Sequence, residues 1–148
     1  MPVDITIRPA VAADFALASG WLQAEGLPTE DLTAAHMEAF LLAMRAEQPV
    51  GMIGLQQFGQ VGLLRSLVVD RASRNDGIGA RLVAALDDKA RRMELRELWL
   101  LTIDADRFFA RLGYSTMQRA DAPAVIQATP EFSSLCPDSA VLMRKRFV

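Results

Sequence analysis

Hydrophobic and polar positions change period several times along the chain, and the changes divide it into elements. Ile5-Thr6-Ile7-Arg8 alternates and stops at Pro9, which predicts a short first strand. From Asp14 to Leu27 the spacing of Phe15, Ala18, Leu22 and Glu25 is helical, with Gly26 near the end. The stretch from Pro28 to Glu38 is polar and reads as a loop with a short helix. Apolar runs follow at Phe40–Arg45, Val50–Phe58 and Val61–Val69, separated by Ala46-Glu47-Gln48-Pro49 and by Gly59-Gln60, which predicts an antiparallel meander.

The period then lengthens. Gly77 to Met93 places Ile78, Leu82, Leu86 and Met93 toward one side and Arg81, Asp88, Lys89 and Arg92 elsewhere, which is an amphipathic helix. Leu98-Trp99-Leu100-Leu101 reads as a buried strand, Ala105–Leu112 as a short helix closed by Gly113, Ala122–Ile126 as another short helix, and Ser139–Phe147 as a last strand. The sum is an α/β arrangement around a mixed sheet. With 148 residues and neither repeats nor a linker-like tract, one domain spanning 1–148 is expected.

Composition narrows the function classes. The chain is 51% hydrophobic and 23% charged, in the range of packed globular proteins. A net charge of -2 gives no general attraction to nucleic acid or to an anionic membrane, so any anion must be held by a local site. A single cysteine, Cys136, rules out an intrachain disulfide and a cysteine-rich metal cage. No metal site is expected. The first ten residues carry Asp4 and Arg8 and lack a signal-like apolar run, so a cytoplasmic location is expected.

The segment Arg74-Asn75-Asp76-Gly77-Ile78-Gly79-Ala80 lies between an apolar strand and the amphipathic helix. A helix N-terminus presents unpaired N–H groups and partial positive charge, and glycines let a phosphate approach the backbone. A pyrophosphate is the natural ligand. The segment is not a P-loop, because Gly79 is followed by Ala80-Arg81 rather than Lys-Ser/Thr, and it is not a dinucleotide fingerprint, because Leu82 replaces the third glycine. By themselves the glycines also fit a plain tight turn.

The R-x-x-G-x-G pattern after Leu64-Arg65-Ser66-Leu67-Val68-Val69-Asp70, with Phe108-Phe109-Ala110-Arg111-Leu112-Gly113-Tyr114 about thirty residues on, resembles the GNAT superfamily of N-acetyltransferases from Ile5 to about Tyr114. The resemblance implies a mostly antiparallel sheet, flanked by helices, with a V-shaped splay between the fourth and fifth strands. It implies acetyl-CoA as cofactor, held by backbone groups of Leu67 and Val69, by Arg74 and the N–H groups of Asn75, Asp76, Gly77, Ile78, Gly79 and Ala80, and by Thr102, Phe108 and Arg111 along its length. The Val68 N–H would stabilise the oxyanion, and no covalent enzyme intermediate is required. Thr102 stands where an Asn is common, and Phe109 where many members carry a Tyr that protonates the thiolate. Tyr114 matches a packing aromatic.

For the acceptor, Glu25 is either a base, direct or through water, or a solvated helix end; Glu30 and Asp31 are weaker candidates of the same kind. Arg65 interrupts an apolar strand and either clamps an acidic acceptor or forms an internal salt bridge. Ser66 either contacts the acceptor or sits in a strand bulge. His36 reads as a surface residue, Cys136 has no histidine partner nearby in sequence, and Arg144-Lys145-Arg146 as a solvated strand end. The tail around Phe132 either covers the acceptor or simply connects to the last strand. Together with Leu64-Arg65-Ser66-Leu67, it is similar to arsenic-resistance N-acetyltransferases, which implies a small amino-acid-like amine, arsenic-containing or not, with Arg65, Ser66 and Phe132 toward it. A protein amine as acceptor, or a coenzyme A sensor with little catalysis, are the rival readings. A homodimer is left open.

Overall fold

The computed structural model describes residues 5–26, 32–73, 77–129, 132 and 140–147. Its elements are β1 (Ile5–Pro9), α1 (Phe15–Ala24), β2 (Phe40–Arg45), β3 (Gln48–Phe58), β4 (Val61–Val69), α2 (Ile78–Arg92), β5 (Glu97–Thr102), α3 (Asp106–Arg111), β6 (Ser115–Met117), α4 (Ala124–Gln127) and β7 (Val141–Arg146), with 3-10 turns at Ala12–Asp14, Ala34–Ala39, Arg71–Ser73 and Arg119–Asp121. The strands form a seven-stranded sheet in the order β1-β2-β3-β4-β5-β7-β6. The β4–β5 pair is parallel, whereas β1–β2, β2–β3, β5–β7 and β6–β7 are antiparallel. The expected mixed α/β class is therefore observed. Every strand expected from the sequence is present; β6 was not foreseen, and α1 closes at Ala24, short of the expected Leu27, which lies outside the described residues.

Two compact units divide the chain, one of Met1–Leu55 with Ser66–Asp88, the other of Gln56–Arg65 with Lys89–Val148. In the first, strand alternation sends Phe40, Leu42 and Met52 to one face, where they bury Ala18 and Leu22 of α1 together with Met37 and Val68. On the opposite face Gly51 lies beneath α2: a Cβ there would stand 3.0 Å from Leu82 and 3.2 Å from Ile78. Gly54 is opposite Phe40 in the register, and the Phe40 ring fills the space that a Cβ would need, at 2.6 Å. In the second unit, Leu63, Trp99, Ala122, Ile126 and Leu142 form the core, with Phe58, Val61, Leu101, Met117 and Phe132 packed against it. Fully burying each large side chain of this kind contributes about 1.5–3 kcal/mol.

Pairing between β4 and β5 runs over Val61–Leu63 against Glu97–Trp99. On its other edge β5 stays paired with β7 along its whole length, to Thr102 against Val141.

Candidate active site

In the first unit the site is a matter of backbone. β4 contains Ser66 at φ 63, a left-handed conformation that a non-glycine residue rarely adopts inside a strand. Such a residue departs from the regular extended backbone of the strand. Ser66 is buried, Leu67 and Val69 are half-buried, and Val68 packs into the α1-side core. Just past the strand, the Asp70 N–H donates to the Val50 carbonyl at 2.8 Å.

Beyond β4 the 3-10 turn ends at Ser73, which is 1% exposed and whose Oγ accepts from Arg45 Nη1 of β2 at 3.1 Å. Arg74, Asn75 and Asp76, three of the predicted anion-binding residues, lie outside the described residues. Gly77 has φ +76, and its carbonyl accepts the Arg81 N–H at 3.1 Å, so it closes the first turn of α2. The N–H groups of Ile78, Gly79 and Ala80 stand in that first turn, where no earlier helical carbonyl serves them. Apart from its chain neighbours and the backbone of its own helix, no atom of the described residues lies within 4 Å of where a Gly77 Cβ would be. This chain therefore offers an open, left-handed glycine followed by the N-terminus of a fifteen-residue helix, a donor set that suits a phosphate oxyanion.

Glu25 follows α1 as its C-cap and is exposed. Glu30 and Asp31 lie outside the described residues, as does Cys136. His36 is exposed, and its Nδ1 accepts the Thr33 N–H at 3.0 Å, which gives it a local capping task. Arg8 and Asp14 form a two-pronged ion pair at 3.1 and 3.2 Å. The hydrogen bond from Arg8, helped by the Val11 N–H at 2.8 Å, holds the Asp14 carboxyl below the usual carboxylate range despite its partial burial.

The second unit holds the remaining predicted residues. Arg65 is 4% exposed, with Leu63 of the same strand face in the core. Thr102 Oγ1 accepts the Ala105 N–H at 3.0 Å, capping the entry to α3, so one of its lone pairs is already committed. On α3, Phe108 is half-buried and Arg111 exposed, whereas Phe109 is buried edge-on between Phe108 (5.1 Å) and Tyr114 (5.7 Å). Tyr114 is 3% exposed, as a packing aromatic should be. Phe132 lies against the core cluster, and Arg144 covers Trp99 at 5.6 Å rather than standing free in solvent.

Two residues of the second unit that the sequence did not single out carry unpaired buried atoms. Gln56 Oε1 and Arg119 Nη1 are buried without a hydrogen-bond partner among the described residues. Neither has a local signature: each depends on which distant residues bury it.

A sequence profile described as the acetyltransferase (GNAT) family matches residues 10–114. The chain belongs to this family. GNAT members transfer acetyl groups from acetyl-CoA, and the Gly77–Ala80 helix start lies within the matched span. Among solved structures, the chain is similar to N-acetylglutamate synthase of Neisseria gonorrhoeae, crystallised with coenzyme A and N-acetyl-glutamate, at 21% identity and a TM-score of 0.84, covering 98% of this chain and 35% of that one. The chain thus spans about a third of that synthase. Rv2747 of Mycobacterium tuberculosis, in a complex with CoA, matches at 20% identity and TM-score 0.79 over 97% and 99% of the two chains. A GNAT-family acetyltransferase of Staphylococcus aureus Mu50 matches at 20% and 0.76 over 98% and 100%. At these identities the likeness concerns the fold. A search of curated protein sequences finds no match.

Proposed function

We propose that residues 1–148 form one acetyltransferase domain that moves the acetyl group of acetyl-CoA onto the amine of a small, amino-acid-like acceptor. The observation that carries this reading is the open, left-handed Gly77 at the head of α2, inside the span that matches the family. In this reading Arg74, the N–H groups of 75–80 and the first turn of α2 hold the pyrophosphate. Leu67 and Val69 offer backbone groups to the pantetheine arm, which enters beyond the Val61–Leu63 pairing of β4. Thr102, Phe108 and Arg111 border the cofactor.

The amine attacks the thioester carbonyl carbon, the C–S bond breaks, and the sulfur leaves with the bonding pair. The Val68 N–H, two residues past the left-handed Ser66, donates to the oxyanion as charge develops. Glu25, directly or through water, takes the amine proton. With Phe109 buried and lacking a hydroxyl, the thiolate leaves unprotonated, which a thiol pKa of about 8.5 permits. The acceptor meets Arg65, Ser66 and Phe132. The synthase crystallised with N-acetyl-glutamate supports an amino-acid class of acceptor. Arsenic-containing amino acids belong to the same chemical range, and a cytoplasmic setting, where acyl-CoA is available, goes with the reading.

Gly77→Asp tests it, since aspartate tolerates the left-handed backbone yet puts bulk and negative charge where the phosphate sits. Calorimetry should show acetyl-CoA affinity reduced at least tenfold with the thermal unfolding midpoint little changed. Unaltered affinity removes the anion site from the reading.

A further inference from the structure

Arg119 opens the 3-10 turn Arg119–Asp121 of the second unit, and its side chain is held by Phe132. The guanidinium lies 4.3 Å from the centre of the Phe132 ring, and Nη2 donates to the Phe132 carbonyl at 3.3 Å. Phe132 is in turn pinned by Thr129, whose Oγ1 donates to the Ile126 carbonyl at 2.7 Å and accepts the Phe132 N–H at 3.1 Å. These contacts use one face and one nitrogen of a group with five N–H donors. Nη1 is buried and makes no hydrogen bond among the described residues.

A second such atom, an acceptor, is on β3. Gln56 Oε1 is likewise buried without a partner among the described residues. Gln56 stands two residues before Phe58, so both side chains leave the same face of the strand. Phe58 and Phe132 pack against the same cluster of Leu63, Trp99, Ala122, Ile126 and Leu142. Arg119 is thus joined to that cluster through Phe132, and Gln56 shares a strand face with Phe58, which packs against it. Orphaned polar atoms in apolar surroundings are costly, and a bound ligand is one of the partners that can satisfy them.

We infer that Arg119 and Gln56 form the subsite that selects the acceptor's chemical class. Arg119 Nη1 binds a carboxylate oxygen and Gln56 Oε1 accepts an N–H of the same molecule, so the site favours an amino acid over a simple amine or an amide. Phe132 is then the platform that holds Arg119, and not only a contact to the acceptor. This deepens the acetyltransferase reading and rests on it.

The test works at two levels. Acetyl-CoA binding by calorimetry examines the reading itself. Thiol release with the L-amino acids and their carboxamides then examines the subsite, in the parent protein and in Arg119→Ala, Arg119→Lys and Gln56→Leu. The parent should prefer at least one acid over its carboxamide by tenfold or more in kcat/KM. Arg119→Ala should abolish that preference through KM, Arg119→Lys should recover part of it, and Gln56→Leu should raise KM for acid and amide alike. Arg119→Lys keeps the charge over Phe132, so the comparison survives if the alanine variant does not fold. A protein that binds acetyl-CoA but shows no acid preference, or whose preference persists in the folded arginine variants, overturns the subsite and leaves the acetyltransferase reading standing. Failure to bind acetyl-CoA overturns both.

Discussion

A close approach in β3 illustrates how single residues set this fold. Phe40 and Gly54 face each other across the β2–β3 pair, and a Cβ at Gly54 would lie within 2.6–2.9 Å of three ring atoms of Phe40. Strand glycine has no side chain to pack, and here the opposing ring supplies the cover. Gly54→Ala should therefore destabilise the protein by about 1–3 kcal/mol, the usual range for overpacking a filled core. Phe40→Leu alone should also destabilise, by leaving Gly54 uncovered. The double variant Gly54→Ala/Phe40→Leu should be more stable than the sum of the two losses implies. Urea unfolding of all four proteins measures the coupling; strict additivity would mean that the ring moves aside freely and that glycine is not required.

Between β1 and α1 the controlling feature is a connection. Arg8, at the end of the strand, grips Asp14, which precedes the helix, and the same carboxylate accepts the Val11 N–H. Because Asp14 has a depressed pKa when folded, its contribution is present above the ordinary carboxylate pKa and is lost as pH falls through the folded value. Asp14→Asn should lower stability at neutral pH by about 0.5–1 kcal/mol, a modest figure because Arg8 is 39% exposed. Denaturant midpoints for parent and variant should begin to draw together as pH falls below about 4 and meet only below the depressed folded value of Asp14. A gap that persists into acid would assign the effect to packing. Elements of this kind were legible in the sequence because their signals are local: alternation up to Pro9, helical spacing from Phe15, a two-residue turn at Gly59-Gln60. β6 was not, since Ser115-Thr116-Met117 has no apolar run and becomes a strand only by pairing with Arg144–Leu142 of β7. The Gly77 helix start was read from residue type, whereas the left-handed backbone at Ser66 was not legible, as serine gives no hint of positive φ. Gln56 and Arg119 went unnoticed because what singles them out is burial by residues far along the chain.

At the scale of the whole molecule, the inventory of nucleophiles decides the order of events. The chain has one cysteine and one histidine. The histidine is occupied at Nδ1 by the Thr33 N–H, and Cys136, which lies outside the described residues, is followed by proline and has no histidine close in sequence. A covalent route needs a thiol activated by a base or a nearby cation, and a free amine attacks a thioester without one. Direct attack, as in the proposed function, has both substrates bound together before the acetyl group moves. With the acceptor varied at several fixed acetyl-CoA concentrations, reciprocal initial-rate plots should intersect rather than run parallel. Cys136→Ser should keep turnover within about twofold of the parent, because direct attack forms no bond to the sulfur. Protein incubated with acetyl-CoA alone should gain no acetyl mass. Parallel lines together with an acetylated protein that Cys136→Ser cannot form would reverse this order, making the thiol the first acceptor and the amine the second.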